Sequence, residues 1–376
     1  MSDIAPPDAP TPRILHLLNA LSLSGAELML TSAARELGAQ RSTILATGEQ
    51  VGDFAAQLRS AGYSVAHLPF ARSPRYFLAL ARLIGRNRFD IVHVHPERAR
   101  LWHILLARLM GTAVVTTVHA EFPFTGLLRL RKALGRRLAA RLGARFIACS
   151  RRVARNEQTR FGIAPRVILN WADPHRGRSG AMPREQLREQ LGLPDSAFVT
   201  LSIANEAPVK NLDALVEAVA LTEAGHVHLH AGSVSPALRA RAEQFAPDKI
   251  HFLGPVDDIA RCLETSDALV CCSFAEGGPL VLLEAALSAL PCVITDVGIV
   301  EDFRDLAGVR IVAPDPRSIA RGIAAMRDLA PAQRHVLGQQ LAAFALARHT
   351  PAVGGAQYAA LYRSLAWHER FGRPHA

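Results

Sequence analysis

Short apolar runs alternate with helical stretches along most of the chain. The first run covers residues 13–18 and ends in a loop, 19–25, before a helical pattern over 26–37. Runs at 42–46, 64–68, 90–95 and 113–118 follow as further strands, with helices predicted at 53–61, 74–86 and 98–110. Strands that are apolar throughout, separated by amphipathic helices, are the pattern of a parallel sheet covered on both faces.

The alternation pauses between residues 170 and 195, where Asn170-Trp171-Ala172-Asp173-Pro174 is turn-like and the next stretch is rich in Gly, Pro and Arg. That places a domain boundary near residues 172–182. Strands then resume at 198–203, 227–231, 250–253, 268–272, 292–295 and 310–312, with helices in the intervals, notably 212–220 and 279–289. The expected fold class is α/β, with two doubly wound Rossmann-like domains. The expected divisions are a disordered tail over 1–12, an amino-terminal domain over 13–173, a second domain over 174–354, and a closing helix over 355–376 packed across the junction. Two such sheets facing each other would form a cleft at their carboxyl ends, where open α/β sheets take their ligands.

Composition sharpens this picture only in places. Nearly half of the 376 residues are hydrophobic and a fifth are charged, which excludes a disordered or fibrous chain. Apolar runs are interrupted well before the roughly 20 residues that span a bilayer. The opening residues lack a basic stretch followed by an apolar one, so a cytoplasmic protein is expected. Cys149, Cys262, Cys271, Cys272 and Cys292 have no metal-ligand spacing and read as buried thiols. Charge is unevenly divided. Residues 1–172 carry 24 Lys/Arg against 10 Asp/Glu, while residues 173–376 carry 19 against 23. A basic first half is expected to meet something anionic: nucleic acid, a phospholipid surface, or a phosphorylated lipid or glycan.

The strongest local signal is the segment from Ser273 to Glu284. A strand ends at Cys272, Gly277 and Gly278 allow a tight turn, and Pro279 suits the first helical position. The free amides of a helix start, at Leu280 and Val281, suit a diphosphate or sugar hydroxyls. Glu276 precedes that helix and Glu284 lies along it, and carboxylates accept hydrogen bonds from hydroxyl groups. Pattern alone leaves open a helix-start role for Glu276 and a surface role for Glu284. Lys210 follows a strand and loop, where it either points at a ligand or is solvated. His119 ends a β-branched strand, where it either meets a ligand or is structural. His93 and His95 share a strand face without a convincing third ligand, so no metal is expected. Over residues 126–145, Leu127, Leu130, Leu134, Leu138 and Leu142 recur every three or four positions amid Arg and Lys. Both a core-facing helix and an interfacial one have that pattern. Phe122-Pro123-Phe124 directly before it adds interest in a lipid-linked acceptor.

The Glu276–Glu284 pair, with seven residues between, resembles the paired-glutamate motif of retaining glycosyltransferases of the GT-B fold. The similarity is to the family-four (group 1) enzymes of bacterial polysaccharide and lipopolysaccharide synthesis. Leu23-Ser24-Gly25-Ala26-Glu27 is similar to their glycine-containing first loop, with Ser24 in place of a frequent second glycine. Residues 90–95 resemble an internal strand, and Thr116-Thr117-Val118-His119 a strand end bearing a histidine near the sugar. Asn170-Trp171-Ala172-Asp173 resembles the turn closing the first domain, and His251-Phe252-Leu253-Gly254 the segment beside the nucleobase.

That resemblance implies Glu276, Lys210 and His119 as catalytic residues. It implies donor contacts from Gly25, Asn205, Leu253, Gly277, Gly278, Leu280, Val281 and Glu284, with Glu276 at the transferred sugar and Glu284 at the ribose. The family places an Arg where this chain has Asn205, with Glu206 beside it, and an amide does not replace a guanidinium fork. The implied function is retaining transfer of a hexose-type sugar from a nucleotide diphosphate sugar, a UDP- or GDP-sugar, to a glycan or lipid-linked acceptor. No separate cofactor, metal or nucleic acid is expected, and residues 122–145 are expected to touch an anionic membrane at the inner face of the cell membrane. Two rivals share the fold: a degenerate nucleotide-sugar-binding subunit and a phosphorylase-type enzyme. A dinucleotide oxidoreductase lacks support, because Gly25 belongs to no G-x-G-x-x-G series.

Overall fold

The computed structural model describes residues 11–176, 183–194 and 196–371. The expected tail at 1–12 lies almost wholly outside the described residues, as does part of the expected boundary segment. The chain divides into two units: residues 1–170 with 351–376, and residues 171–350.

In the first unit, seven parallel strands are described. They are β1 (Ile14–Leu18), β2 (Ser42–Ala46), β3 (Ser64–His67), β4 (Ile91–Val94), β5 (Ala113–Val118), β6 (Arg145–Ala148) and β7 (Arg166–Val167). Their order is β3-β2-β1-β4-β5-β6-β7, so the direction of winding reverses between β1 and β4. At such a switch point the loops leaving two neighbouring strands run to opposite faces and open a crevice. Register pairs His16 of β1 with His93 of β4. Strands β1, β4 and β5 are buried throughout, as continuous apolar runs between two helical layers must be.

The second unit repeats the plan with β8 (Phe198–Ile203), β9 (His226–Ala231), β10 (Ile250–Gly254), β11 (Ala268–Cys271), β12 (Cys292–Thr295) and β13 (Val309–Val312). The order is β10-β9-β8-β11-β12-β13, again parallel, with the switch point between β8 and β11. Its core joins Phe198, Leu215, Val270, Val293 and Ile323. All five cysteines are free thiols, four buried and Cys271 half-buried.

Two local expectations are corrected, and one choice that the pattern left open is narrowed. The helix expected over 26–37 ends at Ser32, and the chain continues in turns closed by the Ala34 N–H on the Thr31 carbonyl and the Gly38 N–H on that of Arg35. The helix expected from 279 to 289 spans Leu280–Leu287, and Pro279 is its extended N-cap rather than its first helical residue. The leucine-rich helix, Gly126–Arg141, buries Ala133, Arg136 and Ala139 and leaves its leucines outside, with Leu127 84% and Leu134 66% exposed. Small residues let this helix approach its neighbours, so its apolar stripe is not its core face.

The closing helix, Pro351–Phe371, belongs to the first unit. Tyr358 and Tyr362 are buried there, the first bonded to Thr117 and the second to His93.

Candidate active site

The switch point of the second sheet assembles the site. The chain leaving β8 runs through Asn205 and Glu206 to a single 3-10 turn, Pro208–Lys210. The chain leaving β11 runs through Ser273 and Glu276 to the Leu280 helix. Phe274 N–H donates to the Val209 carbonyl at 2.8 Å and ties the two loops together. Asn211, in the left-handed region at φ 57°, donates from its amide to the carbonyls of Cys272 (3.1 Å) and Pro314 (3.0 Å). Asparagine tolerates that conformation better than most residues.

This scaffold brings Lys210 Nζ onto Glu276 Oε1 as a direct ion pair. Ser273 Oγ donates to the same carboxylate oxygen at 3.0 Å, and Thr295 Oγ1 fixes the Ser273 carbonyl at 2.6 Å. Both charged side chains are partly open to solvent. Behind them, the Glu276–Gly277 turn rests on Gly298, whose φ is +51°. A Cβ there would lie 2.4 Å from the Gly277 oxygen and 2.6 Å from that of Glu276. Glycine at 298 is what lets the two backbones approach.

Glu284 is not at the surface: only 5% of it is exposed, on the inner side of the Leu280 helix. Burial pushes its carboxyl pKa up, partly offset by Arg176, whose Nε lies 3.4 Å from Oε1. The sequence pattern gives Arg176 no signal, because it lies in the irregular stretch at the expected domain boundary. Gly277 is buried, and Gly278, Leu280 and Val281 are half-buried beside the helix start. Leu253 sits on β10, half-buried, one residue before Gly254.

The loop lacking the family's arginine is held otherwise. The Asn205 side-chain oxygen accepts from the Ala207 amide at 3.3 Å, and Glu206 accepts from the Ser235 amide and hydroxyl. Those bonds hold the Glu206 carboxyl below the ordinary carboxylate range. Glu206 therefore serves the start of the Pro236–Phe245 helix, and Asn205 stabilises its own turn.

His119 and Gly25 belong to the first unit. Gly25 opens the Gly25–Ser32 helix behind the N-cap Ser24, whose hydroxyl bonds to the buried Glu27. His119 Nε2 is 3.0 Å from His95 Nδ1, and His95 Nε2 is 3.3 Å from His16 Nδ1. Burial, with Arg100 nearby, lowers the His119 pKa to about 4, and burial lowers that of His16 to about 3. These rings are neutral near pH 7, so the row is a chain of hydrogen-bonded imidazoles.

His16 is the third imidazole that sequence spacing did not provide, since β1 lies 77 positions before His93 but beside it in the sheet. Ligating atoms of His16, His93 and His95 all lie within 4.8 Å. However, His93 bonds Tyr362 through Nδ1 (2.6 Å) and Thr117 through Nε2 (2.8 Å), so a cation would have to displace one of them.

Two parallel-sheet Rossmann-like units in one chain constitute the GT-B arrangement. The model of the "Glycosyltransferase Family 4" family matches residues 23–176, and that of "Glycosyl transferases group 1" matches residues 197–328. The chain has the GT-B fold, and over these two stretches it is related to the family-four glycosyltransferases. It is 25% identical over 249 residues to the Escherichia coli UDP-Gal:alpha-D-GlcNAc-diphosphoundecaprenol alpha-1,3-galactosyltransferase, covering 61% of this chain and 64% of that enzyme. It is 28% identical over 243 residues to the N-acetyl-alpha-D-glucosaminyl L-malate synthase of Bacillus anthracis, covering 60% and 62%. The chain thus spans just under two thirds of the length of these two relatives. Among solved structures, Anabaena HepE in complex with UDP and glucose superposes with a TM-score of 0.82 at 19% identity, covering 93% of this chain and 98% of that one.

Proposed function

We propose that this protein is a retaining glycosyltransferase that moves a hexose-type sugar from a nucleotide diphosphate sugar to a glycan or lipid-linked acceptor in cell-surface polysaccharide or lipopolysaccharide synthesis. The observation that carries the reading is the Lys210–Glu276–Ser273 cluster at the start of the Leu280 helix, with Glu284 buried behind it. Lys210 stabilises the charge that grows on the departing diphosphate, together with the amides of Leu280 and Val281. Glu276 accepts hydrogen bonds from the hexose, and Glu284 from the ribose. A donor phosphate oxygen takes the acceptor proton, so Glu276 orients the sugar rather than forming half of a hydrolase-type acid/base pair. His119, neutral and backed by His95, meets sugar hydroxyls.

Two further points support this reading. The galactosyltransferase relative, by its name, uses a UDP-sugar and a diphosphate-linked lipid acceptor. In this chain the exposed leucines of the Gly126 helix lie among Arg129, Arg131, Arg137 and Arg141, a face that suits an anionic membrane. On this reading the protein works in the cytoplasm, peripheral to the membrane.

The rival of a degenerate binding subunit rests on Asn205, which supplies no cation. The test is a donor screen by ligand-induced melting shift, followed by transfer assays with the donor that binds. A donor that binds and is neither transferred nor hydrolysed with any acceptor extract would replace catalysis by binding alone. Phosphate-dependent breakdown of a glycan would favour the phosphorylase reading.

A further inference from the structure

A cavity of about 580 Å3 lies wholly within the first unit, between the helix Arg100–Leu109 and the Gly126 helix. Six cations line it: Arg72, Arg98, Arg100, Arg131, Lys132 and Arg136. Glu97 is the only acid in the lining. That one carboxylate is already shared three ways, 2.9 Å from Arg100, 2.8 Å from Lys132 and 3.2 Å from Arg136. Glu157, behind the lining, takes the Arg136 Nε at 2.7 Å.

Purely structural arginine networks balance their charge, because an uncompensated buried cation is costly. This one does not. Arg100 is 5% exposed, its Nε has no hydrogen-bond acceptor, and its Nη1 meets Glu97 only as an ion pair. Arg72, Arg98 and Arg131 add exposed charge around the opening. Several guanidinium groups converging on one space fit a phosphate or diphosphate, whose oxygens accept many donors at once.

The remaining lining is apolar. Trp102 is 61% exposed, and Leu101, Ile104 and Phe70 complete that side. Arg131, Lys132 and Arg136 stand on the same helix that exposes Leu127, Leu130 and Leu134. A charged group at the bottom and an apolar attachment leaving across the leucines would satisfy both parts of the surface.

We propose that this cavity is a binding site for the phosphate or diphosphate group of a lipid-linked molecule, with Arg98, Arg100 and Arg131 as its principal ligands. The inference deepens the proposed function by giving the acceptor's anchoring group a place in the first unit, and to that extent rests on it.

The test is isothermal titration of the full chain with farnesyl diphosphate and, separately, with inorganic pyrophosphate. The expected result is one saturable site for the prenyl compound, pyrophosphate binding at least tenfold more weakly, and loss of at least tenfold for both in Arg98→Ala/Arg131→Ala. Both side chains are exposed, so this variant should keep its melting temperature. Equal affinity for the two probes would support the phosphate site and overturn the lipid attachment. No binding to the unaltered protein, or binding untouched by the double substitution, would overturn the proposal. A melting shift with nucleotide sugars, read on the same samples, reports on the second unit. If that shift occurs without prenyl diphosphate binding, the cavity inference fails alone; the reverse result counts against the donor reading alone.

Discussion

Lys210 and Glu276 lie 66 positions apart, and their side chains form one ion pair at the end of the second sheet. On the proposed reading, a diphosphate arriving there competes with Glu276 for the ammonium group, and the released carboxylate becomes available to the sugar. Glu276→Gln removes the competing charge while preserving shape. Transfer should fall by about a hundredfold or more, as when one transition-state contact is lost. Affinity for the nucleoside diphosphate should hold or rise. Lys210→Ala should weaken both. Steady-state kinetics and titration of the two variants check this pattern, and near-normal turnover in Glu276→Gln would remove that residue from the chemistry.

Glu284 sets a pH dependence. Burial raises its pKa and Arg176 opposes that rise. With Glu284 at the ribose, as proposed, protonation costs the donor a hydrogen-bond acceptor, so donor affinity should decline on acidification, starting above the ordinary carboxylate range. Below the raised pKa the decline approaches about tenfold per pH unit. Arg176→Ala should move the onset to higher pH, and Glu284→Gln should remove this component. Titrations at several pH values decide the matter.

Buried histidines govern acid stability. His16 is lowered to about 3, and His103, His119, His226 and His230 to about 4, while His93, His95 and His228 lie well below the ordinary value, all chiefly by burial. Between about pH 6.5 and these values the unfolded chain binds more protons than the folded one. Each imidazole then makes stability fall by about 1.4 kcal/mol per unit of acidification. Denaturant unfolding should steepen in its pH dependence below about 6.5 and show uptake of several protons. A stability flat from pH 7 to 5 would contradict this.

Gly298 carries the turn before the Leu280 helix. Alanine there meets the Gly277 carbonyl and an unfavourable φ at once. We expect Gly298→Ala to cost about 1–3 kcal/mol and to weaken donor binding. Thermal unfolding and nucleotide titration measure the two effects.

The proposed membrane contact of the Gly126 helix uses residues that folding does not need. Leu127→Asp/Leu134→Asp alters two exposed leucines, so the melting temperature should change little, while binding to anionic vesicles should drop at least tenfold. Vesicle sedimentation provides the readout.

Much of the architecture was legible because parallel strands are apolar throughout and leave few alternatives to two covered sheets. The Ser273–Glu284 segment was legible because a strand, two glycines, a proline and two acids fall in one stretch. What escaped depends on strand order. His16 joins His93 only because β1 is inserted beside β4, and Gly298 matters only because its loop packs on the Gly277 turn. The orientation of the Gly126 helix was also hidden. Period shows that leucines share a face, but neighbouring elements decide which face is covered, and here Ala133, Arg136 and Ala139 are the buried ones.

The central claim is that the nucleotide sugar docks against the Leu280 helix start with both glutamates on its hydroxyls. A crystal structure of the complex tests it most directly. The account predicts diphosphate oxygens within hydrogen-bond reach of Lys210 and the Leu280 and Val281 amides, Glu276 on the hexose and Glu284 on the ribose. A nucleotide bound elsewhere, or either glutamate turned away from the sugars, would contradict it.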